Sequence, residues 1–223
     1  MTVILMLAMF AIFLTIDYVR KGKEARETAA AREEAASVAP RVLPTIVAGF
    51  ELPDNRRYHP GHTWALQESP TLVRVGIDDF GARLVGKIDE ITLPKRGQWI
   101  RQGQKFASLT RDGQKTELVS PVEGEVTSVN EALLSDAGAL NKDPYGQGWF
   151  VSVLSPDLPT SFRNLLNGTL ARKWMAEASS RLQMRIPALA GAVAQDGGVA
   201  MHDLTVQMPT TKWTDITREF FLT

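Results

Sequence analysis

The segment "SLTRDGQKTELVSPVEGEV", residues 108–126, predicts a β-hairpin followed by a bend. Asp112 and Gly113 form the residue pair that is favoured in a two-residue type I′ turn, and strand-forming residues flank them on both sides. Gly124 marks the second bend. A lysine, Lys115, comes just past the turn, and whether it carries a cofactor decides how the chain functions.

Short β runs surround this hairpin from Tyr58 to Pro156, separated by glycine and proline. Two segments, 86–106 and 124–149, each open on glycine with β-branched residues at the third and sixth places. This weak repeat predicts two halves of a small all-β sandwich that the hairpin joins. In the run "RLVGKIDEITLP" the alternation predicts a strand with inward side chains at Leu84, Ile88, Ile91 and Leu93.

The composition excludes several classes of function. The 25 basic and 25 acidic side chains cancel, which gives no reason to expect nucleic-acid binding, and the absence of cysteine excludes disulfides and thiolate chemistry. No nucleophile motif, P-loop or HExxH pattern is present, so we expect neither an enzyme nor a small-molecule substrate. His59, His62 and His202 form no recognisable ligand pattern, and no metal site is predicted.

The N-terminal residues predict a membrane anchor. Residues 3–16 are apolar apart from Thr15, nothing basic precedes them, and Arg20, Lys21 and Lys23 follow. This asymmetry favours an uncleaved transmembrane helix over residues 1–19, single-pass in the cell inner membrane, with the globular domain in the cytoplasm. Residues 20–49 then predict a helical linker that ends in prolines.

The C-terminal extension, residues 159–223, predicts helices. Apolar residues recur at helical spacing in the first part, where Gly168 is expected to divide two helices and Pro187 to end the second (Phe162, Leu165, Leu166, Leu170, Trp174, Ala178 and Leu182). Trp213, Ile216, Phe220 and Phe221 fall on one side of a short final helix. This apolar face is expected to pack either on the β domain or on another protein.

The β region resembles the H protein of the glycine cleavage system, a member of the lipoyl-domain group. The resemblance rests on "YHPGHTW", "VGIDDFGARLVGKIDEITLPKRGQWIRQGQKFASL", "SPVEGEVTSVNEAL" and "LNKDPYGQGWFVSVLSP". It implies a mainly β barrel-sandwich hybrid fold over residues 50–158, between the transmembrane helix and the C-terminal helical extension. It also implies that His62 and Trp64 belong to the packing at the domain edge.

The resemblance further implies lipoate on a hairpin lysine, seven residues before a Ser-Pro pair. Counting back seven from Ser120 reaches Gly113, whereas Lys115 lies two residues further along, about 6–7 Å away on a strand. We therefore expect no cofactor. The alternative is lipoate on Lys115, which would make the chain a lipoyl carrier of the glycine cleavage system.

These observations predict a non-catalytic, unlipoylated scaffold or interaction subunit. Its predicted partners are the membrane itself and proteins of a membrane-bound complex, a redox complex being one candidate.

Overall fold

The computed structural model describes residues 45–186, 203–204 and 213–222. The strands in this part of the chain are β1 (Ile46–Val47), β2 (Phe50–Glu51), β3 (Arg57–Tyr58), β4 (Thr63–Gln67), β5 (Leu72–Ile77), β6 (Glu90–Thr92), β7 (Trp99–Ile100), β8 (Lys105–Arg111), β9 (Gln114–Val119), β10 (Gly124–Val129) and β11 (Trp149–Leu154). The helices are α1 (Asp79–Val85), α2 (Glu131–Ser135), α3 (Ala139–Lys142), α4 (Leu158–Arg163), α5 (Gly168–Arg185) and α6 (Trp213–Phe221).

The strands form two main antiparallel sheets. One has six strands in the order β3-β4-β5-β11-β10-β7, and the other has three in the order β6-β8-β9. A separate pair, β1 and β2, precedes them. The prediction of a mainly β architecture is confirmed.

The core takes alternate residues from both sheets, as strands with one covered face require. Val73, Val75, Val126, Val151 and Val153 are fully or almost fully buried in the larger sheet, and Ile91, Leu109 and Leu118 are buried in the smaller one. Burying one side chain of this size contributes roughly 1.5–3 kcal/mol, so the alternation fixes which face of each strand points inward.

Helix α1 occupies part of a segment that the alternation predicts as a strand. Leu84 is buried, as expected, but it lies on a helix. The helix begins because the carboxylate of Asp78 caps it, with Oδ1 accepting a hydrogen bond from the Gly81 N–H at 2.7 Å. A buried ion pair between Arg83 and Asp79, 2.7 Å apart, joins its successive turns.

The predicted C-terminal helices are confirmed. The break falls before Gly168, the first residue of α5, which has φ of 48°. Ala171, Met175, Ala178 and Leu182 form the buried stripe of α5 at spacings of four, three and four. Leu170, which the helical spacing grouped with these residues, lies off this stripe and is 64 % exposed.

The predicted anchor, residues 1–19, lies outside the described residues, as does the linker up to residue 44. Among the residues that the structure does describe, no helix has the length and apolar character needed to cross a membrane.

Candidate functional site

The hairpin between β8 and β9 has the predicted two-residue turn. Arg111 pairs with Gln114, and the two residues between them, Asp112 and Gly113, have φ of 49° and 73°. Both values are positive, as a type I′ turn requires. A Cβ atom at Gly113 would meet nothing within 4 Å, so the backbone conformation, not crowding, favours glycine there. The tip therefore offers no side-chain amine.

Lys115 lies on the descending strand, not at the tip. Its Cα faces that of Thr110 across the ladder, its side chain is exposed, and within the described part of the chain it makes no ion pair. It lines an open cleft of about 280 Å³ together with Lys105 and Glu117. Lys105 Nζ lies 2.6 Å from Glu117 Oε2, and this hydrogen bond lowers the pKa of the Glu117 carboxyl.

Helix α6 packs on the hairpin beside this tip. Thr214 Oγ1 donates a hydrogen bond to Gln114 Oε1 at 2.7 Å, and the indole Nε1–H of Trp213 donates to the Val85 carbonyl at 3.3 Å. Arg111 donates to the same carbonyl from the ascending strand, also at 3.3 Å. The final helix, the end of α1 and the hairpin are thus joined at one place.

A cluster of aromatic rings lies further along the same helix, around His62. The imidazole stacks on Phe80 at 4.2 Å between ring centroids and contacts Trp174 at 4.6 Å, while Phe220 and Phe221 lie at 6.0 and 6.4 Å. Packing of His62 and Trp64 is as expected, but both are fully buried in the core and not at an edge.

Gly61 permits the close approach of the final helix to this cluster. A Cβ atom there would lie 2.8 Å from the Phe221 carbonyl oxygen and 2.9 Å from Val119 Cγ2. The aromatic face of α6 is therefore covered by the β domain: Trp213, Ile216, Phe220 and Phe221 are each at most 6 % exposed.

His62 and Asp78 form a buried pair that the sequence patterns did not indicate. His62 Nδ1 lies 2.9 Å from Asp78 Oδ2, and both side chains are fully buried. The other ring nitrogen, Nε2, is buried and has no hydrogen-bond partner among the described residues. A histidine that activates a nucleophile needs a hydroxyl or thiol at that nitrogen, and no described residue supplies one.

The histidines do not converge on a metal site. His59 Nδ1 accepts a hydrogen bond from the Gly61 N–H at 3.0 Å, whereas His62 is bonded to Asp78. His202 lies outside the described residues, and among those described no group of three or more His, Cys, Asp or Glu side chains could hold a metal ion.

Two buried tyrosines donate hydrogen bonds to backbone carbonyls in and just after strand β2. Tyr145 donates to the Glu51 carbonyl at 2.7 Å and Tyr58 donates to the Pro53 carbonyl at 2.8 Å. Burial raises the pKa of both phenols, so they stay protonated as donors. Between Tyr145 and Trp64 the guanidinium of Arg56 lies 5.0 Å from each ring centroid, and burial lowers its pKa.

The domain consists of two antiparallel sheets, a β8–β9 hairpin against which helix α6 packs, and helices that follow the last strand. This arrangement is that of a lipoyl-type β domain. The family model described as glycine cleavage H-protein matches residues 56–178, just over half of the 223 residues. The chain belongs to the glycine cleavage H-protein family.

Two curated relatives and one solved structure are similar to this chain. The glycine cleavage system H protein of Corynebacterium jeikeium (strain K411) is 39% identical over 106 residues, which cover 46% of this chain and 83% of that protein. The H protein of Prochlorococcus marinus (strain NATL2A) is 31% identical over 118 residues, 53% of this chain and 91% of that protein. A crystal structure of the H protein from Mycobacterium marinum shares 27% identity over 56% of this chain and 98% of that one, with a TM-score of 0.49.

The predicted location is corrected by these comparisons. The matched relatives are glycine cleavage system H proteins, and a bilayer-spanning helix needs about 20 apolar residues, which no described helix provides. The prediction of a single-pass inner-membrane protein with a cytoplasmic domain is therefore wrong.

Proposed function

We propose that this chain is a non-catalytic member of the H-protein family that carries no lipoate and acts as an interaction subunit of a protein complex. The observation that carries the proposal is Gly113 at the hairpin tip, with φ of 73°, where the family resemblance places the lipoyl lysine. Lipoylation forms an amide on a primary amine, and the residues at this tip do not fit that chemistry.

The surroundings of the tip support the same proposal. Helix α6 lies against β9 and is bonded to Gln114, next in sequence to Gly113. A tethered arm that visits partner enzymes needs free space around its attachment point. The final helix restricts one side of the hairpin, and its buried aromatic face makes displacement costly, because each large side chain contributes roughly 1.5–3 kcal/mol.

The proposed divisions of the chain follow from the same considerations. Residues 50–158 form the H-protein-like domain and residues 159–223 its helical extension, the first part of which, up to residue 178, the family model still matches. We propose that the remainder of the extension is specific to this protein's role in a complex. No nucleophile–base arrangement occurs among the described residues that would give the domain an activity of its own, since Nε2 of the buried His62 has no hydrogen-bond partner among them.

The second candidate function is a lipoyl carrier that uses Lys115. It is favoured by one observation, the exposed position of Lys115 without an ion pair among the described residues. Its position two residues down the strand, opposite Thr110, is the objection, because the amine is displaced about 6–7 Å from the tip.

Mass spectrometry of the protein purified from its own host distinguishes the two functions. We expect the intact mass of the unmodified chain, and the same result for Lys115→Arg after allowing for the substitution. A lipoyl mass on a peptide that contains Lys115, lost in Lys115→Arg, would overturn the proposal and establish the carrier function.

A further inference from the structure

The outward face of the six-stranded sheet carries one row of side chains across four neighbouring strands. The inward neighbours of these residues, such as Val73, Val126 and Val153, are buried, so the alternation points the row to the outside. The strand register aligns its members in the order Leu72, Leu154, Glu125 and Trp99, and we refer to these four residues as the outer row.

The outer row is unusually apolar for an exposed position. Trp99 is 49 % exposed and Leu154 is 44 % exposed, whereas most aromatic side chains of the described domain are buried. The two lie on either side of Glu125, so roughly 10 Å separates them across the sheet. Tryptophan is among the residues that most often anchor protein–protein interfaces.

Gly124 permits the close approach of two of the strands that carry the outer row. At Gly124 a Cβ atom would collide with the Leu154 carbonyl, so only glycine allows β10 and β11 to approach closely there. Trp99 lies on β7, the edge strand of the sheet, where a partner has access from the side as well as from above.

The charge at the centre of the row indicates what kind of partner fits. Glu125 is exposed and makes no ion pair with any described residue, and its cross-strand neighbours Trp99 and Leu154 are apolar. A second copy of this chain that docked with its outer row against this one would offer Glu125 either another Glu125 or an apolar side chain of the same row. Neither compensates a carboxylate that is being removed from water.

We propose that the outer row is a docking face for a different protein, which presents apolar side chains on both sides of a lysine or arginine. The apolar groups cover Trp99 and Leu154 while the cation pairs with Glu125. This inference rests on the proposed function as an interaction subunit, and it names the chemistry of the partner.

A titration of the full-length protein with synthetic peptides tests the docking face. The probes are a peptide that alternates leucine with lysine and a length-matched peptide that alternates leucine with glutamate. We expect the leucine–lysine peptide to shift the NMR signal of the Trp99 indole N–H, which is assigned with Trp99→Phe. Glu125→Lys should weaken its binding by about tenfold or more and allow the leucine–glutamate peptide to bind instead.

The matched control is Leu170→Ser, which removes an exposed leucine on α5, outside the row, and should leave binding unchanged. The proposal would be overturned if the leucine–lysine peptide left the Trp99 signal unshifted, or if it bound Glu125→Lys as tightly as the native chain. A dimer of the native chain that Trp99→Ser abolishes would overturn it in favour of a second copy. The intact mass of the same sample reports lipoylation separately, so failure here and failure of the proposed function are distinguishable.

Discussion

Thr214 Oγ1 donates a hydrogen bond to Gln114 Oε1 at 2.7 Å, which connects the C-terminal helix to the residue that follows the hairpin tip. The two residues are 100 positions apart in sequence. The extension is therefore part of the folded domain at the position where the family resemblance would place a mobile cofactor arm.

The aromatic face of α6 should contribute strongly to stability. Trp213→Ala combined with Phe220→Ala is expected to lower the free energy of unfolding by several kcal/mol, since truncating one buried aromatic residue costs about 3–5 kcal/mol. Urea and thermal unfolding of the full-length chain measure the loss. The control pair Leu170→Ala and Leu222→Ala removes exposed leucines and should change stability by less than about 0.5 kcal/mol per site. Equal stability of both double variants would show that α6 does not pack as described.

Gly61 should tolerate no side chain. Gly61→Ala places a Cβ 2.8 Å from the Phe221 carbonyl oxygen, and overpacking of this kind costs about 1–3 kcal/mol. Gly138→Ala is the matched control, because the closest contact of its Cβ would be the movable carboxylate of Asp136 at 2.9 Å. The difference in melting temperature between the variants is the readout, and a Gly61→Ala protein as stable as the native chain would contradict the close approach.

A lysine restored at the tip should accept lipoate. Gly113→Lys faces open space, although its backbone φ of 73° should cost about 1–2 kcal/mol of stability. After incubation with a lipoate ligase, ATP and lipoate, the variant should gain a lipoyl mass and the native chain none. Gly103→Lys is the control, since Gly103 also has positive φ and open surroundings but lies outside the hairpin tip. If Gly113→Lys and Gly103→Lys were lipoylated to the same extent, the position of the lysine at the hairpin tip would not decide its modification.

The Glu51 carboxyl should make stability depend on pH in an identifiable direction. Burial, and then the nearby charge of Asp79, raise its pKa above the ordinary value of 4.5. The folded chain therefore binds this proton more tightly than the unfolded chain, and its ionisation costs stability as the pH rises through the raised pKa. Glu51→Gln removes that cost.

The melting temperature of Glu51→Gln should therefore rise relative to that of the native protein as the pH increases from 4 to 7. Scans of both proteins at the two pH values measure this change. If the difference in melting temperature between the two proteins were the same at pH 4 and at pH 7, Glu51 would not titrate in the expected direction.

The features that sequence could predict are local ones. Asp112-Gly113 indicates its own turn type, so the hairpin and its two-residue turn were accessible from the pattern alone. Helix α1 was misread as a strand because seven residues are too few for a helical period to emerge, and Leu84 satisfies either pattern. The cap by Asp78 was the available signal.

The contacts that sequence could not predict are those between distant segments. The His62–Asp78 pair, the approach of Phe221 to Gly61 and the alignment of the outer row depend on how strands and helices meet. Helical spacing identified the aromatic face of α6 but left open whether the domain or another protein covers it, because both give the same pattern.

The hydrogen bond from Trp213 to Val85 spans 128 residues, and this has a consequence for biosynthesis. A ribosome that has translated the chain as far as Leu154 has already made all the strands that the structure describes. The aromatic rings around His62 nevertheless stay uncovered until α6, which begins at Trp213, emerges from the exit tunnel. A nascent chain held at that stage exposes an apolar surface to chaperones and to aggregation.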